Sequence, residues 1–406
     1  MAYAAQRHIT VVPEIEMPCH STCALASYPQ FGCGNPVGDY DMDYPSINYL
    51  VDLYSLGSPG TMAFLKDALT EVMGIFPGKY IHCGGDEVVS STDMQWLSYT
   101  PDVTNMAAIG ISTIVEYQHW LSTNLAGFLQ ANGRVMMGWT EFENGGILTN
   151  AALMDWESQS SQAIPTAEAG MPVVMSWNST CYINDNETTS TTSEPPNSPG
   201  TCTLSTVYGF NPIPSGLPAQ YDSNILGAQC SLWGEEVPSF RNVMFKMFPR
   251  ESALAEITWT PPASQSYSGF TNRLVTQEQR LAQMGVNYDH ESVPTIGTWG
   301  PAVPTNATTM TWNITANVTA AGEIDVNFIY TSGADGLSIT SVALLQNGVQ
   351  VDIDVHAGFA GSGPTYPMYI VHLPETKPGA TYTIQAVVAG FGGTASSGTV
   401  YLPNWD

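Results

Sequence analysis

The chain is predicted to fold as a repeated β/α domain followed by an all-β sandwich, and three observations predict it. Short apolar runs alternate with helical stretches as far as Arg280, the pattern of repeated β/α units. Each run ends in polar or aromatic residues, as expected where the strands of a β/α barrel deliver side chains to one face. After Trp299 the texture changes to alternating apolar and polar residues cut by Gly, Pro and Asn turns, which reads as an antiparallel sandwich of about a hundred residues.

The apolar runs of the first domain are residues 9–15, 79–83, 134–138, 153–156, 173–177 and 225–230. Helices are expected over 59–76 and 112–131, ahead of the second and third runs, and a closing helix pair over 252–284. Residues 2–7 begin inside a helix. Residues 184–220 hold a Thr/Ser/Pro-rich insertion, densest from Thr188 to Pro199, which reads as a surface loop. The sandwich strands are expected over 310–318, 323–330, 338–346, 368–373 and 381–389. The domain boundaries are therefore 1–298 and 299–406. Six runs are two short of the eight strands that close such a barrel.

Composition narrows the partners. With 43% hydrophobic and 10% aromatic residues the 406-residue chain can bury a sizeable core. No apolar run approaches the roughly 18 residues of a membrane-spanning helix, and Met1 opens no signal-peptide pattern. The formal charge of −26, from 36 acidic against 10 basic residues, disfavours nucleic acid and anionic membrane. It suits a neutral or cationic ligand, or simply solubility. Five glycosylation sequons, at Asn178, Asn186, Asn306, Asn313 and Asn317, point to a secreted, lysosomal or cell-surface glycoprotein. Cys181 and Cys202 flank the insertion. A disulfide between them would close a loop of about twenty residues and contribute about 3 kcal/mol.

The sharpest motif is His82-Cys83-Gly84-Gly85-Asp86-Glu87-Val88, directly after a predicted strand. Two glycines permit a tight turn, and the adjacent carboxylates then project from the strand end. Neighbouring carboxylates perturb each other, so that one stays ionised while the other keeps its proton. Splitting a glycosidic bond requires that division. Taken alone, the string also fits a surface turn with two solvated acids.

Four further blocks occur with it in order. They are Val12-Pro-Glu-Ile-Glu-Met-Pro-Cys-His20, Gly138-Trp-Thr-Glu141, Gly227-Ala-Gln-Cys-Ser-Leu-Trp-Gly-Glu235 and Phe248-Pro-Arg-Glu-Ser-Ala-Leu-Ala-Glu256. Together with Phe76 to Glu87, and with the spacing between blocks, they resemble family 20 glycoside hydrolases, the β-N-acetylhexosaminidases, from Tyr3 to about Tyr288. The resemblance implies a (β/α)8-type barrel seen as strands 3 to 8. It makes Glu87 the general acid/base, and Asp86 the partner that holds the substrate's 2-acetamido group while its carbonyl oxygen attacks C1. Tyr182 matches the hydroxyl that bonds the acetamido oxygen. Trp139, Trp156 and Trp233 match walls of the sugar pocket, where apolar faces meet the C–H side of a pyranose. Glu235 matches a carboxylate gripping a sugar hydroxyl, against a solvated acid as the plain reading. His20 and His82 match histidines near the acid/base, and a satisfied core histidine is an equal alternative for each.

Departures from the family pattern are specific. Glu16 and Cys19 stand where the family has Asp and Gly, and Asn184 where many relatives have Asp. The spacing of Cys19, His20, Cys23 and Cys33 fits no common zinc pattern, and the resemblance implies no metal and no organic cofactor. The family's first two strands, and the Arg they bring to the C3 and C4 hydroxyls, have no match. The expected activity is exo-acting release of terminal β-linked GlcNAc or GalNAc from N-acetylated amino-sugar glycans by substrate-assisted, retaining catalysis. An upstream segment or a second chain is expected to complete the barrel. No nucleic acid and no membrane insertion are expected. The alternative is a catalytically impaired relative that binds glycans or builds a surface structure. The sandwich resembles modules appended to sugar-active enzymes, which bind glycans or pack on the barrel.

Overall fold

The computed structural model describes residues 1–33, 53–88, 94–157, 162–187, 200–234, 237, 239–289, 295–318, 320–362 and 367–402. They form two compact units, residues 1–178 with 211–229, and residues 179–210 with 230–406.

The first unit is built on five strands, β1 (Tyr80–His82), β2 (Val135–Trp139), β3 (Ala151–Asp155), β4 (Val173–Met175) and β5 (Ile225–Ala228). They lie side by side in chain order and all pair in parallel, the arrangement that β/α repetition produces. β3 is buried along its whole length, as expected of a strand covered on both faces. Residues 9–15 were expected as a strand, but they meet the sheet only through a parallel bridge between Glu14 and His82. His82 N donates to Pro13 O at 2.9 Å, Ile15 N to His82 O at 3.0 Å, and Met17 N to Cys83 O at 3.1 Å. Pro13 and Pro18 carry no N–H, which keeps this ladder short.

Two helices flank the sheet where the sequence places them, α1 (Thr61–Ile75) and α2 (Ile114–Ala131). α2 starts on a capping box: Glu116 N donates to Thr113 Oγ1 at 3.2 Å and Thr113 N to Glu116 Oε2 at 3.1 Å, worth about 1 kcal/mol. Its buried face repeats Tyr117, Leu121, Leu125 and Leu129 at helical spacing. Gln118 lies on that face and reaches the turn after β1.

The second unit contains α3 (Phe240–Met247), α4 (Arg250–Trp259), α5 (Tyr267–Gln283) and a β-sandwich. The sandwich strands are β6 (Thr295–Trp299), β7 (Thr308–Asn313), β8 (Gly322–Gly333), β9 (Gly336–Gln346), β10 (Val349–Asp354), β11 (Gly358–Ala360), β12 (Met368–Leu373), β13 (Tyr382–Phe391) and β14 (Ser396–Tyr401). One sheet runs β10-β9-β13-β7 with β11 on β9, and the other β12-β8-β14-β6. Between them Trp299, Phe328, Tyr369 and the inward aliphatics form one core. β6 straddles the expected 298/299 boundary. Outside the sandwich, Asn242 of α3 donates to the buried Asp325 Oδ2 of β8 at 3.1 Å.

The expected Cys181–Cys202 disulfide is absent. Strand-like pairing explains why. Ser231 N donates to Cys181 O at 2.8 Å and Ile183 N to Ser231 O at 2.9 Å. Tyr182 thereby bridges Ser231 in parallel, and Cys181 comes opposite Cys230. Cys202 N instead donates to Asn186 O at 2.8 Å. Residues 188–199, the expected surface loop, lie outside the described residues. Among the sequons, Asn306 and Asn313 are exposed, whereas Asn186 is buried at 3% exposure, too enclosed to carry a glycan in the folded chain. Among the described residues no helix is long and apolar enough to cross a membrane.

Candidate active site

The turn that leaves β1 sets the geometry. Gly84 and Gly85 adopt φ of +65° and +99°, a region closed to most side chains. A Cβ on Gly84 would also sit 1.8 Å from Glu16 Oε2. Glu87, two residues on, takes φ +56° without being glycine. Such a conformation costs of order 1 kcal/mol and persists only where the surroundings impose it. Here Glu87 N donates to Glu141 Oε1 at 3.1 Å, Trp139 N donates to Gly84 O at 2.9 Å, and Gln118 Nε2 donates to Gly85 O.

His20 joins the two carboxylates. Its Nε2 lies 3.3 Å from Asp86 Oδ2 and 3.3 Å from Glu87 Oε2. Burial alone would lower the imidazole pKa, but hydrogen bonds to Asp86 and Glu87 outweigh it and raise it to about 10. The His20 hydrogen bond in turn holds Glu87 below the usual carboxylate range, against a smaller opposing effect of burial. The resting site therefore pairs an imidazolium with the Glu87 carboxylate. Asp86 Oδ1 is buried and has no hydrogen-bond partner.

Behind this pair, His82 is buried, with Nδ1 3.2 Å from Glu14 Oε1 and 3.1 Å from Gly84 N. The indole N–H of Trp139 donates to the same Glu14 oxygen at 2.7 Å, and the two rings meet edge-on at 4.9 Å. His82 thus braces the turn rather than touching Asp86 or Glu87, and its Nε2 is buried without a partner. Burial, followed by the charges of Asp86 and Glu14, pushes Glu16 up to about 10, so its carboxyl is neutral at pH 7.

Trp156 follows β3 and donates its indole N–H to Glu141 Oε2 at 2.9 Å. Burial lifts Glu141 to about 7, opposed by the Trp156 and Glu87 hydrogen bonds. Next to it, buried Asp155 accepts from Trp177 Nε1 at 3.2 Å and from Thr140 Oγ1 at 3.2 Å. Glu141, Asp155 and Trp177 were missed as individual site residues. Glu141 stands two positions past Trp139, in a block quoted for the family resemblance, but nothing local in the sequence marks it as more than a solvated acid.

His20, His82, Asp86, Glu87, Trp139 and Trp156 all belong to the first unit. Tyr182, Asn184 and Trp233 belong to the second. There the Tyr182 and Trp233 rings meet edge-on at 5.6 Å. Asn184 is buried with its Oδ1 unpartnered. Glu235 lies outside the described residues. Among the described residues no group of three or more His, Cys, Asp or Glu side chains is placed to hold a metal ion.

Comparison with known proteins gives the chain its family. The β-hexosaminidase of Porphyromonas gingivalis is 34% identical over 289 residues, 70% of this chain and 36% of that protein. The β-hexosaminidase of Vibrio furnissii is 31% identical over 260 residues, 63% of this chain and 41% of that protein. Among solved structures, the exo-β-N-acetylglucosaminidase of Vibrio harveyi, in complex with N-acetylglucosamine, superposes with a TM-score of 0.61 at 27% identity. That match covers 71% of this chain and 45% of the other. The chain thus spans less than half the length of these relatives. A family model described as glycosyl hydrolase family 20, catalytic domain, matches residues 1–262, and the chain belongs to that family.

Proposed function

We propose that the chain carries the catalytic carboxylates of an exo-acting β-N-acetylhexosaminidase, which releases terminal β-linked GlcNAc or GalNAc with retention at C1. The observation that carries this reading is Asp86 Oδ1, a buried acceptor without a partner beside a carboxylate already held by His20. A buried oxygen of this kind costs about 1–3 kcal/mol while unpaired. The N–H of a 2-acetamido group supplies the missing donor, and doing so turns the acetamido carbonyl toward C1. The substrate then provides its own nucleophile. Asp86 stabilises the positive charge of the cyclised intermediate, which its buried setting strengthens.

Glu87 delivers a proton to the departing oxygen and later takes one from water. In the resting site that proton sits on His20, 3.3 Å away. Trp139 and Trp156, both tied down through their indole N–H groups, offer apolar faces to the sugar. Tyr182, Asn184, Trp233 and Glu235 keep the sugar-binding roles that the family resemblance implies. The substrate would be an N-acetylated amino-sugar glycan met in a secreted, lysosomal or cell-surface setting, to which the exposed Asn306 and Asn313 sequons are suited.

Two measurements test the proposal. Nitrophenyl β-GlcNAc should be cleaved and the matching β-glucoside should not, because glucose lacks the acetamido group. A thiazoline mimic of the cyclised intermediate should bind tightly, and Asp86→Ala should weaken it by at least tenfold. Equal hydrolysis of the two glycosides would end the substrate-assisted reading. Thiazoline binding without turnover would favour a glycan-binding relative.

A further inference from the structure

Glu141 touches both the Glu87 backbone and a wall of the candidate sugar pocket. Its two oxygens face two N–H donors, Glu87 N at 3.1 Å and Trp156 Nε1 at 2.9 Å. The residue it holds on one side stands at φ +56°, a conformation that relaxes unless something fixes it. On the other side it fixes the rotation of the indole that follows β3. Glu141 itself is carried by a single 3-10 turn, Thr140–Glu143, at the end of β2. That turn packs tightly. A Cβ on Gly138 would lie 2.8 Å from Phe142 Cδ1 and 2.9 Å from Gly84 O. The carboxylate is thus anchored on a rigid element rather than on a loop.

We infer that Glu141 is a positioning residue: it straps the Glu87 backbone and the Trp156 indole together, so that acid/base and pocket wall share one reference point. The inference rests on Glu87 being the acid/base. Accepting two N–H groups on two oxygens is what an ionised carboxylate does well. A glutamine at this place accepts only one of them, since its amide nitrogen would oppose a donor. An alanine accepts neither.

The test uses Glu141→Gln and Glu141→Ala, each compared with the unaltered chain by crystallography and by kinetics on nitrophenyl β-GlcNAc. In Glu141→Ala, Glu87 should leave positive φ and its carboxylate should move off His20. The kcat should fall roughly 10- to 100-fold with KM changed less than threefold. Glu141→Gln should recover part of the loss. Adding Trp156→Phe to Glu141→Gln should cost less than it does in the unaltered chain, because the opposed donor is gone. A Glu87 that keeps its φ and its His20 contact in both variants overturns the inference, as does a raised KM at constant kcat. If the unaltered chain cleaves no GlcNAc glycoside, the acid/base reading has failed instead. The crystallographic comparison still decides whether Glu141 positions the turn. Should Glu141→Ala not fold, Glu141→Gln carries the same comparison with its volume preserved.

Discussion

His20 Nε2 stands 3.3 Å from Glu87 Oε2, and that contact sets the charge of the candidate acid/base. Glu87 is held low chiefly by this hydrogen bond. Replacing His20 with Gln should let the Glu87 pKa rise, and because the general acid must carry its proton, the limb of the kcat/KM profile that reports Glu87 deprotonation should move with it. Stability should respond with the matching sign. A carboxylate with a depressed pKa stabilises the fold above its unfolded value of about 4.5, and this is lost as pH falls through the folded value. His20→Gln should flatten that acid-side loss. A Glu87 ionisation that stays in place in that profile would separate His20 from Glu87.

Glu87→Gln keeps the shape of the site and removes the proton donor. On chitobiose, whose leaving group needs protonation, the loss should be roughly 10²-fold or more. Activated aryl glycosides should lose less in the first step. Comparable losses on both substrates would place the defect in binding rather than in proton transfer.

The sequence revealed most of this architecture because strands in a parallel sheet are buried on both faces and read as apolar runs. Five of the six runs became β1 to β5, and the alternating texture after Trp299 became the sandwich. The run at 9–15 failed as a strand because apolar content does not report the missing N–H groups of Pro13 and Pro18. Asp86 and Glu87 were legible because chemistry needs the two carboxylates adjacent. Glu141 was not, since an acid two residues past a tryptophan looks like any solvated acid. Its meaning depends on the φ of Glu87, which no local pattern shows. Cys181 was paired with Cys202 because the two flank the Thr/Ser/Pro-rich insertion, while the backbone brings it opposite Cys230, nearly fifty residues away.

Glu16 predicts an alkaline weakness. Its carboxyl pKa is raised from 4.5 to about 10 by burial, Asp86 and Glu14. A group with a raised folded pKa stabilises fully below its unfolded value and loses that contribution as pH climbs through the folded one. The window here is therefore from about 4.5 to 10. His20, raised from 6.5 to about 10, loses its contribution over an overlapping range. Glu16→Gln stays neutral throughout, so its thermal midpoint should match the unaltered chain near pH 4 and exceed it by a growing margin toward pH 9. A gain of the same size at every pH would mean that packing, not ionisation, distinguishes the two.

The last prediction concerns Arg250, a guanidinium only 1% exposed. Its Nε lies 2.8 Å from Glu187 Oε2, Nη1 donates to Asp185 O at 2.9 Å and Cys202 O at 2.8 Å, and Nη2 donates to Ile183 O at 2.6 Å and Lys246 O at 2.8 Å. One side chain thereby closes the carbonyls of Ile183 and Asp185, which flank Asn184 just after Tyr182. Lysine has the charge but not the planar fork, and cannot meet acceptors spread this widely. Arg250→Lys should leave Glu187 and several buried carbonyls underpaired and cost about 3–5 kcal/mol. In a unit of this size that corresponds to a fall in melting temperature of roughly 10 °C. Glu187→Gln removes the charge and leaves a single oxygen for Arg250 or for Leu204 N, so that only one of the two donors loses its acceptor. It should cost less than Arg250→Lys. Because the strapped segment bears Tyr182 and Asn184, Arg250→Lys should also raise KM for a GlcNAc glycoside below the new melting temperature. Tyr182→Phe should alter kinetics while leaving the melting temperature within a few degrees. An Arg250→Lys chain that melts with the unaltered protein would show that the segment holds its shape without the fork.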